Sequence, residues 1–161
     1  VILQEIDVVE IEVDALNIPD EITVSIEGKE IGDQILAGGT AGFDSILGLE
    51  YTAVTADGVE ASLTLRPELH QPFGITHGGV YCAIVESVAS ISGVVWLGGA
   101  GHVVGVNNNT DFLRALSSGV LSIRSTPIHR GRRQQLWLVE IDSEDGKAVA
   151  RGQVRLQNID A

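Results

Sequence analysis

The chain has 161 residues, is 44% hydrophobic, and carries a formal net charge of −12 from 22 acidic and 10 basic residues. That length suits one domain with a sizeable core, and the apolar fraction excludes disorder along the whole chain. The balance also lacks the broad basic surface that nucleic acid requires, so no nucleic-acid partner is expected.

The acidity is unevenly placed. Residues 1–33 hold ten acidic residues against Lys29 alone, a net of −9, which leaves −3 for residues 34–161. We read residues 1–37 as an acidic N-terminal extension and residues 38–161 as the working domain. Within the extension, the alternation of Val9, Ile11 and Val13, then of Ile22, Val24 and Ile26, predicts short strands, although the repeated acids would also suit a loosely held arm.

After Gly38-Gly39, the segment from Ala41 to Gly48 reads as one or two helical turns ended by glycine. Leu49 to Ala56 and Val59 to Arg66 read as strands joined at Asp57-Gly58, a two-residue hairpin signal. Pro67 to Thr76 holds two of the four prolines and reads as loop. Gly78 to Leu97 reads as one long helix. Four strands follow: Val103 to Phe112, Val120 to Ile128, Gln134 to Asp142 and Lys147 to Gln157, with turns at Ser118-Gly119, Arg130-Gly131 and Asp145-Gly146. Two strands, a helix and four strands in meander spacing predict an α+β fold, one antiparallel sheet curled round the helix.

The helix is apolar or small on every face, with Glu86 its only ionisable carboxylate and Ser87, Ser90 and Ser92 its hydroxyls. Such a helix is buried or membrane-spanning. Glu86 near its centre, diluted by serines and glycines, favours a core helix, so no membrane partner is expected. A carboxylate placed there has no solubility rationale and points to acid/base or nucleophilic chemistry. The lone cysteine, Cys82, reads as packing within the same apolar run rather than as a nucleophile. With no disulfide to form and no basic flank followed by an apolar signal core at the start, a reducing cytoplasm is expected.

The run Gln71-Pro72-x-Gly74-x-x-His77-Gly78-Gly79, then Glu86, Phe112-Leu113-Arg114, His129-x-Gly131-Arg132 and Asp145-Gly146-Lys147 resembles the hotdog-fold acyl-CoA thioesterases. The resemblance spans about residues 40–158 and points to the branch of the 4-hydroxybenzoyl-CoA and phenylacetate-pathway enzymes. His129-x-Gly131-Arg132 followed by Gln135 and Trp137 is most similar to the 1,4-dihydroxy-2-naphthoyl-CoA thioesterases. It implies a hotdog fold and hydrolysis of an acyl- or aroyl-CoA to the free acid and CoA, without metal or bound cofactor.

Thioester hydrolysis needs donors aimed at the carbonyl oxygen and a carboxylate that attacks carbon or activates water. The amides of Gly78 and Gly79 open the helix, carry the positive end of its dipole and have no side chain to block a ligand. Gly78 is the donor that the family motif implies; the alternative is a pair of glycines that merely permit tight entry to the helix. Glu86 lies eight residues beyond Gly78, about 12 Å along one axis at 1.5 Å of rise per residue. If both serve one thioester, they come from different subunits about a two-fold axis. A homodimer, paired into a tetramer, is therefore expected, and a monomer should be inactive.

His77 either orients the carbonyl or caps the helix. The resemblance implies that Gln71 positions carboxylate or substrate and that Ser90, one helical turn beyond Glu86, supports the carboxylate. Four of the ten basic residues, Arg124, Arg130, Arg132 and Arg133, crowd around the turn from His129 to Arg133. Guanidinium forks suit the phosphates of CoA. Arg132 fits the family pattern, with Arg114 second; Arg130 and Arg133 would otherwise be a solvated hairpin tip.

Two departures from the family stand out. Asn107-Asn108-Asn109 replaces a more apolar strand, and Ala115 stands where proline often follows the arginine. Asparagines facing the acyl pocket would favour a hydroxyaryl substrate. No phosphate-binding glycine loop or serine nucleophile elbow is present, and His70, His77, His102 and His129 lack metal-ligand spacing, so no metal is expected. A hotdog hydratase would need an Asp and His pair on the loop entering the helix. A non-catalytic acyl-CoA sensor would keep the arginines and lose the carboxylate that this chain retains.

Overall fold

The computed structural model describes residues 20–160. Helix α1 spans Asp20–Gly38, α2 spans Gly42–Leu47 and α3 spans Gly78–Leu97; the strands are β1 (Leu49–Thr55), β2 (Gly58–Thr64), β3 (Gly101–Phe112), β4 (Val120–Arg130), β5 (Gln134–Ser143) and β6 (Ala148–Asp160). All six strands form one antiparallel sheet in the order β1-β2-β4-β5-β6-β3. Helix α3 lies against it and touches every strand, which is the hotdog architecture that the resemblance implied.

The long helix begins and ends where its glycines permit. His77 is its N-cap in extended backbone, and Gly98 closes it in the left-handed region at φ 59°, donating to the carbonyl of Val94. Its buried face carries Val80, Tyr81, Ile84, Val85, Val88, Ala89, Ser92 and Val95. These meet Leu63, Leu121, Ile123, Trp137, Ile141 and Leu156 from the sheet. Each fully buried aliphatic contributes about 1.5–3 kcal/mol.

Two expectations are corrected. The strands of the second half are not a meander, because β3 pairs with β6 along the far edge and the chain crosses back to place β4 beside β2. The crossing segment is stitched to the loop before α3. Thr76 gives both its amide and its hydroxyl to the carbonyl of Leu116, His70 Nε2 lies 2.8 Å from the carbonyl of Ser117, and Leu65 donates to Gly119.

The predicted strand at Ile22, Val24 and Ile26 lies instead in α1, while Val9, Ile11 and Val13 fall outside the described residues. A second pattern, Gly28, Ile31, Gly32 and Ile35, repeats at helical spacing and overrides the local alternation. Ile31 and Ile35 pack against the core. The two glycines let the helix backbone come close: an added Cβ would sit 2.3 Å from the carbonyl oxygen of Val95 at Gly28 and 2.7 Å from that of Val54 at Gly32.

Candidate active site

The start of α3 is capped by its own sequence. His77 Nδ1 accepts the Gly79 amide at 2.8 Å, so this ring nitrogen carries no proton. Between the two expected roles of His77, the geometry is that of a cap. It also ties up Gly79, leaving Gly78 as the amide without a partner among the described residues.

Beside Gly78 opens a cleft of about 330 Å³ lined by Gln71, Thr76, Gly78, Tyr81, Phe112 and Arg114. Gln71 sits in a tight loop whose turn is made by Gly74 at φ 81°; its side-chain oxygen accepts the Phe73 amide at 2.9 Å. The amide nitrogen of Gln71 has no partner among the described residues. Neither does the Tyr81 hydroxyl, on a side chain only 3% exposed. Burial pushes the Tyr81 phenol up from its usual pKa and keeps it protonated, with the nearby Thr76 side chain, too poorly placed for a hydrogen bond of normal geometry, opposing this in part. The Phe112 ring roofs the glycine: a Cβ at Gly78 would meet it at 2.8 Å. It also packs on Tyr81 with ring centroids 6.0 Å apart.

Glu86 lies about two turns further along, half-buried against β3. Its Oε2 accepts Asn108 Nδ2 at 3.0 Å, and the same nitrogen donates to the carbonyl of Cys82 at 3.0 Å. Thr110 Oγ1 in turn donates to Asn108 Oδ1 at 2.7 Å. Oε1 rests against Gly105, where a Cβ would come within 2.0 Å of it, so a larger residue there would push the carboxylate out of this position. Ser90 is half-buried and makes no hydrogen bond among the described residues.

A β-bulge explains how β3 serves this site. Gly105 faces Leu156 across the ladder and Asn107 faces Arg155, so Val106 is the extra residue. The bulge changes the parity of the strand: Gly105, Asn108, Thr110 and Phe112 all pair with β6 residues on the helix-facing side, while Asn107 and Asn109 are exposed. Strict alternation cannot place Gly105 and Asn108 on one face. Alternation therefore hides that Gly105, Asn108 and Thr110 share one face, and the one signal in the sequence is the departure at Asn107-Asn108-Asn109.

The basic turn sits at the opposite end of α3. Arg130 bonds Asp57 at 2.9 Å and the carbonyl of Ala56 at 3.0 Å, and its guanidinium lies 5.9 Å from the Trp96 ring. Beneath it, buried Asn158 holds the carbonyls of Gly131 and Arg132, Gln135 donates to Asn158 at 2.7 Å, and Trp137 donates to Gln135 at 2.8 Å. Arg132 and Arg133 project into solvent. Trp96 is 18 residues past Gly78, roughly 27 Å along the helix. The structure thus brings Gln71, His77, Gly78, Gly79 and Arg114 together, places Glu86 and Ser90 mid-helix, and puts Arg130, Arg132 and Arg133 at the far end. No cluster of three or more potential metal ligands occurs among the described residues.

Comparisons with known proteins agree with the fold. The family model of the thioesterase superfamily matches residues 73–150, and that of the C-terminal domain of ribosomal protein TL5 matches residues 1–39. The chain is 56% identical over 125 residues to the "Putative esterase Rv1847" of Mycobacterium tuberculosis, across 76% of this chain and 89% of that one. It is 36% identical over 101 residues to the proofreading thioesterase EntH of Cronobacter turicensis, across 63% of this chain and 74% of that one. Among solved structures, thioesterase HI1161 of Haemophilus influenzae matches with a TM-score of 0.74 at 33% identity, over 80% of this chain and 90% of that one. The chain belongs to the thioesterase superfamily, and it is a thioester hydrolase.

Proposed function

We propose that the protein hydrolyses an acyl-CoA, of the aroyl type, with Glu86 as nucleophile or general base and the Gly78 amide of a second subunit polarising the thioester carbonyl. The observation that carries the reading is the state of these two groups. Among the described residues, Gly78 keeps an unpaired N–H at a helix start beside a cleft, and Glu86 keeps an unpartnered carboxylate oxygen on the same helix, about 12 Å away. Neither can complete the chemistry within one chain.

A homodimer answers this separation, with a tetramer as the further assembly. Edge strand β3 supports it: Val104 and Val106 are each 48% exposed beside the carboxylate site, and a long unpaired strand edge favours covering by another chain. The separation of Arg114 from Arg132 and Arg133 also fits a substrate bound across two subunits, its acyl end at the Gly78 cleft. The substrate branch, that of 4-hydroxybenzoyl-, phenylacetyl- or dihydroxynaphthoyl-CoA enzymes, rests on the motif resemblance alone, since Asn107 and Asn109 are exposed, Asn108 holds Glu86, and none of the three lines the largely apolar Gly78 cleft. We assign residues 1–37 to an N-terminal extension, a stretch that a different family model covers as residues 1–39, with its helix α1 docked on the core through Gly28, Ile31, Gly32 and Ile35.

Thiol release from a panel of acyl- and aroyl-CoAs tests the reading, comparing the parent protein with Glu86→Gln and Glu86→Ala. Both variants should lose nearly all turnover, and undiminished rates in both would remove the assigned mechanism. Mixing Glu86→Ala with Gly78→Pro subunits should recover part of the activity, because a hybrid dimer contains one intact site. No recovery after confirmed subunit exchange would count against a shared site.

A further inference from the structure

We infer that Asn108 and Thr110 form a positioning relay for the catalytic carboxylate, fixing Glu86 by one oxygen so that the other is presented to the thioester. The inference rests on the reading of Glu86 given above and adds residues that this reading does not use. Asn108 has two amide protons, and both are committed, one to Glu86 Oε2 and one to the carbonyl of Cys82 on the preceding helical turn. The amide therefore measures the carboxylate against the helix backbone itself.

Thr110 holds the end of the amide that faces away from Glu86. Its hydroxyl donates to Asn108 Oδ1 at 2.7 Å, which occupies the carbonyl end, while the NH₂ end turns to the carboxylate. A reversed amide would set its oxygen against the Glu86 carboxylate and the Cys82 carbonyl, both of which can only accept. Room for Thr110 comes from its cross-strand neighbour, Gly152, where a Cβ would lie 2.7 Å from Thr110 Oγ1. Gly105 holds the other side, its bare α-carbon beside Oε1. With Oε2 bonded, Oε1 is the oxygen free to attack the carbonyl carbon or take a proton from water.

Asn108 and Thr110 touch Glu86 directly and at one remove, and neither lines the Gly78 cleft. Their loss should therefore lower kcat and leave KM nearly unchanged. For Asn108→Ala we expect a fall in kcat of about 10- to 100-fold, the range for a hydrogen bond to a charged group. Thr110→Val keeps shape and strand preference and should cost roughly 3- to 10-fold, whereas Thr110→Ser, which keeps the hydroxyl, should recover most of that loss. Asn107→Ala and Asn109→Ala, on the opposite face, should stay within about twofold of the parent.

The decisive measurement is a double-mutant cycle on thiol release, with thermal unfolding and size-exclusion profiles recorded to confirm folding. In a Glu86→Ala background, Asn108→Ala should have no further effect on the residual rate. Full loss of turnover in Glu86→Gln together with unchanged kcat in Asn108→Ala and Thr110→Val would overturn the relay and spare the function. Additive losses in the cycle would also overturn it, since Asn108 would then act elsewhere than through Glu86. Full turnover in Glu86→Gln would remove both the function and the relay.

Discussion

The two ends of α3 are built from similar materials and finished in opposite ways. At the start, glycine backbone, Gln71, Tyr81 and Arg114 surround a cleft in which the Gly78 amide, the Gln71 amide nitrogen and the Tyr81 hydroxyl have no partners among the described residues. At the finish, Gln135, Asn158, Trp137 and Arg130 satisfy one another and the backbone around them. Buried polar groups are normally bonded, so the buried Tyr81 hydroxyl without a partner, beside half-buried donors of Gly78 and of the Gln71 side chain that face the cleft, is the mark of an end shaped for something else to bind. Polar residues alone do not mark the reactive end. Their unmet hydrogen bonds do.

That contrast predicts which substitutions harm chemistry and which harm stability. The largest effect should come from Gly78→Pro, which removes the free N–H at a position where the helix backbone tolerates proline, although the half-exposed Phe112 ring must move to admit the new side chain: kcat should fall about 10²- to 10³-fold, far out of proportion to the modest drop in unfolding midpoint that this shift costs. A stable Gly78→Pro enzyme with normal kcat would erase the distinction between the two ends. Next comes Gln135→Leu at the finished end, which strands the Trp137 N–H and part of Asn158. Urea unfolding should show a loss of about 1–3 kcal/mol.

A smaller change should follow His77→Ala, which deletes the cap on Gly79 at about 1 kcal/mol, while His77→Asn should restore most of that stability. Recovery of folding stability without recovery of turnover in His77→Asn would reveal a further role for the imidazole in orienting the carbonyl. The smallest belongs to Arg130→Ala. Its exposed pair with Asp57 should be worth less than about 1 kcal/mol by thermal unfolding. A rise in KM for acyl-CoA in that variant would show that Arg130 leaves Asp57 to meet the substrate.

Much of this was legible in the sequence where one local rule operates alone. The bounds of α3 followed from paired glycines before an apolar run, the β1 and β2 hairpin from Asp57-Gly58, and the isolation of Glu86 from the character of its neighbours. The features that escaped are those in which distant parts of the chain decide. Strand β3 crosses to the far edge because its partner is β6, and no turn signal records which strands lie side by side. Helix α1 forms where Gly28 and Gly32 dock on Val95 and Val54, a tertiary contact stronger than the alternation of Ile22, Val24 and Ile26. The separation of Arg114 from Arg130 could not be seen either, because sequence shows that both are cationic but not that α3 stands between them.

The extra residue at Val106 has a consequence for how this strand can vary. Its ladder counts as though that position were absent, so a relative that lacks it would still turn its equivalents of Gly105 and Asn108 inward. An added or lost residue anywhere between Asn107 and Phe112 would instead rotate the following side chains outward, taking Thr110 from Asn108 and the aromatic roof from Gly78. Length changes in this edge are thus tolerated at one point, and the spacing downstream of it is as tightly fixed as the identity of the acid it supports.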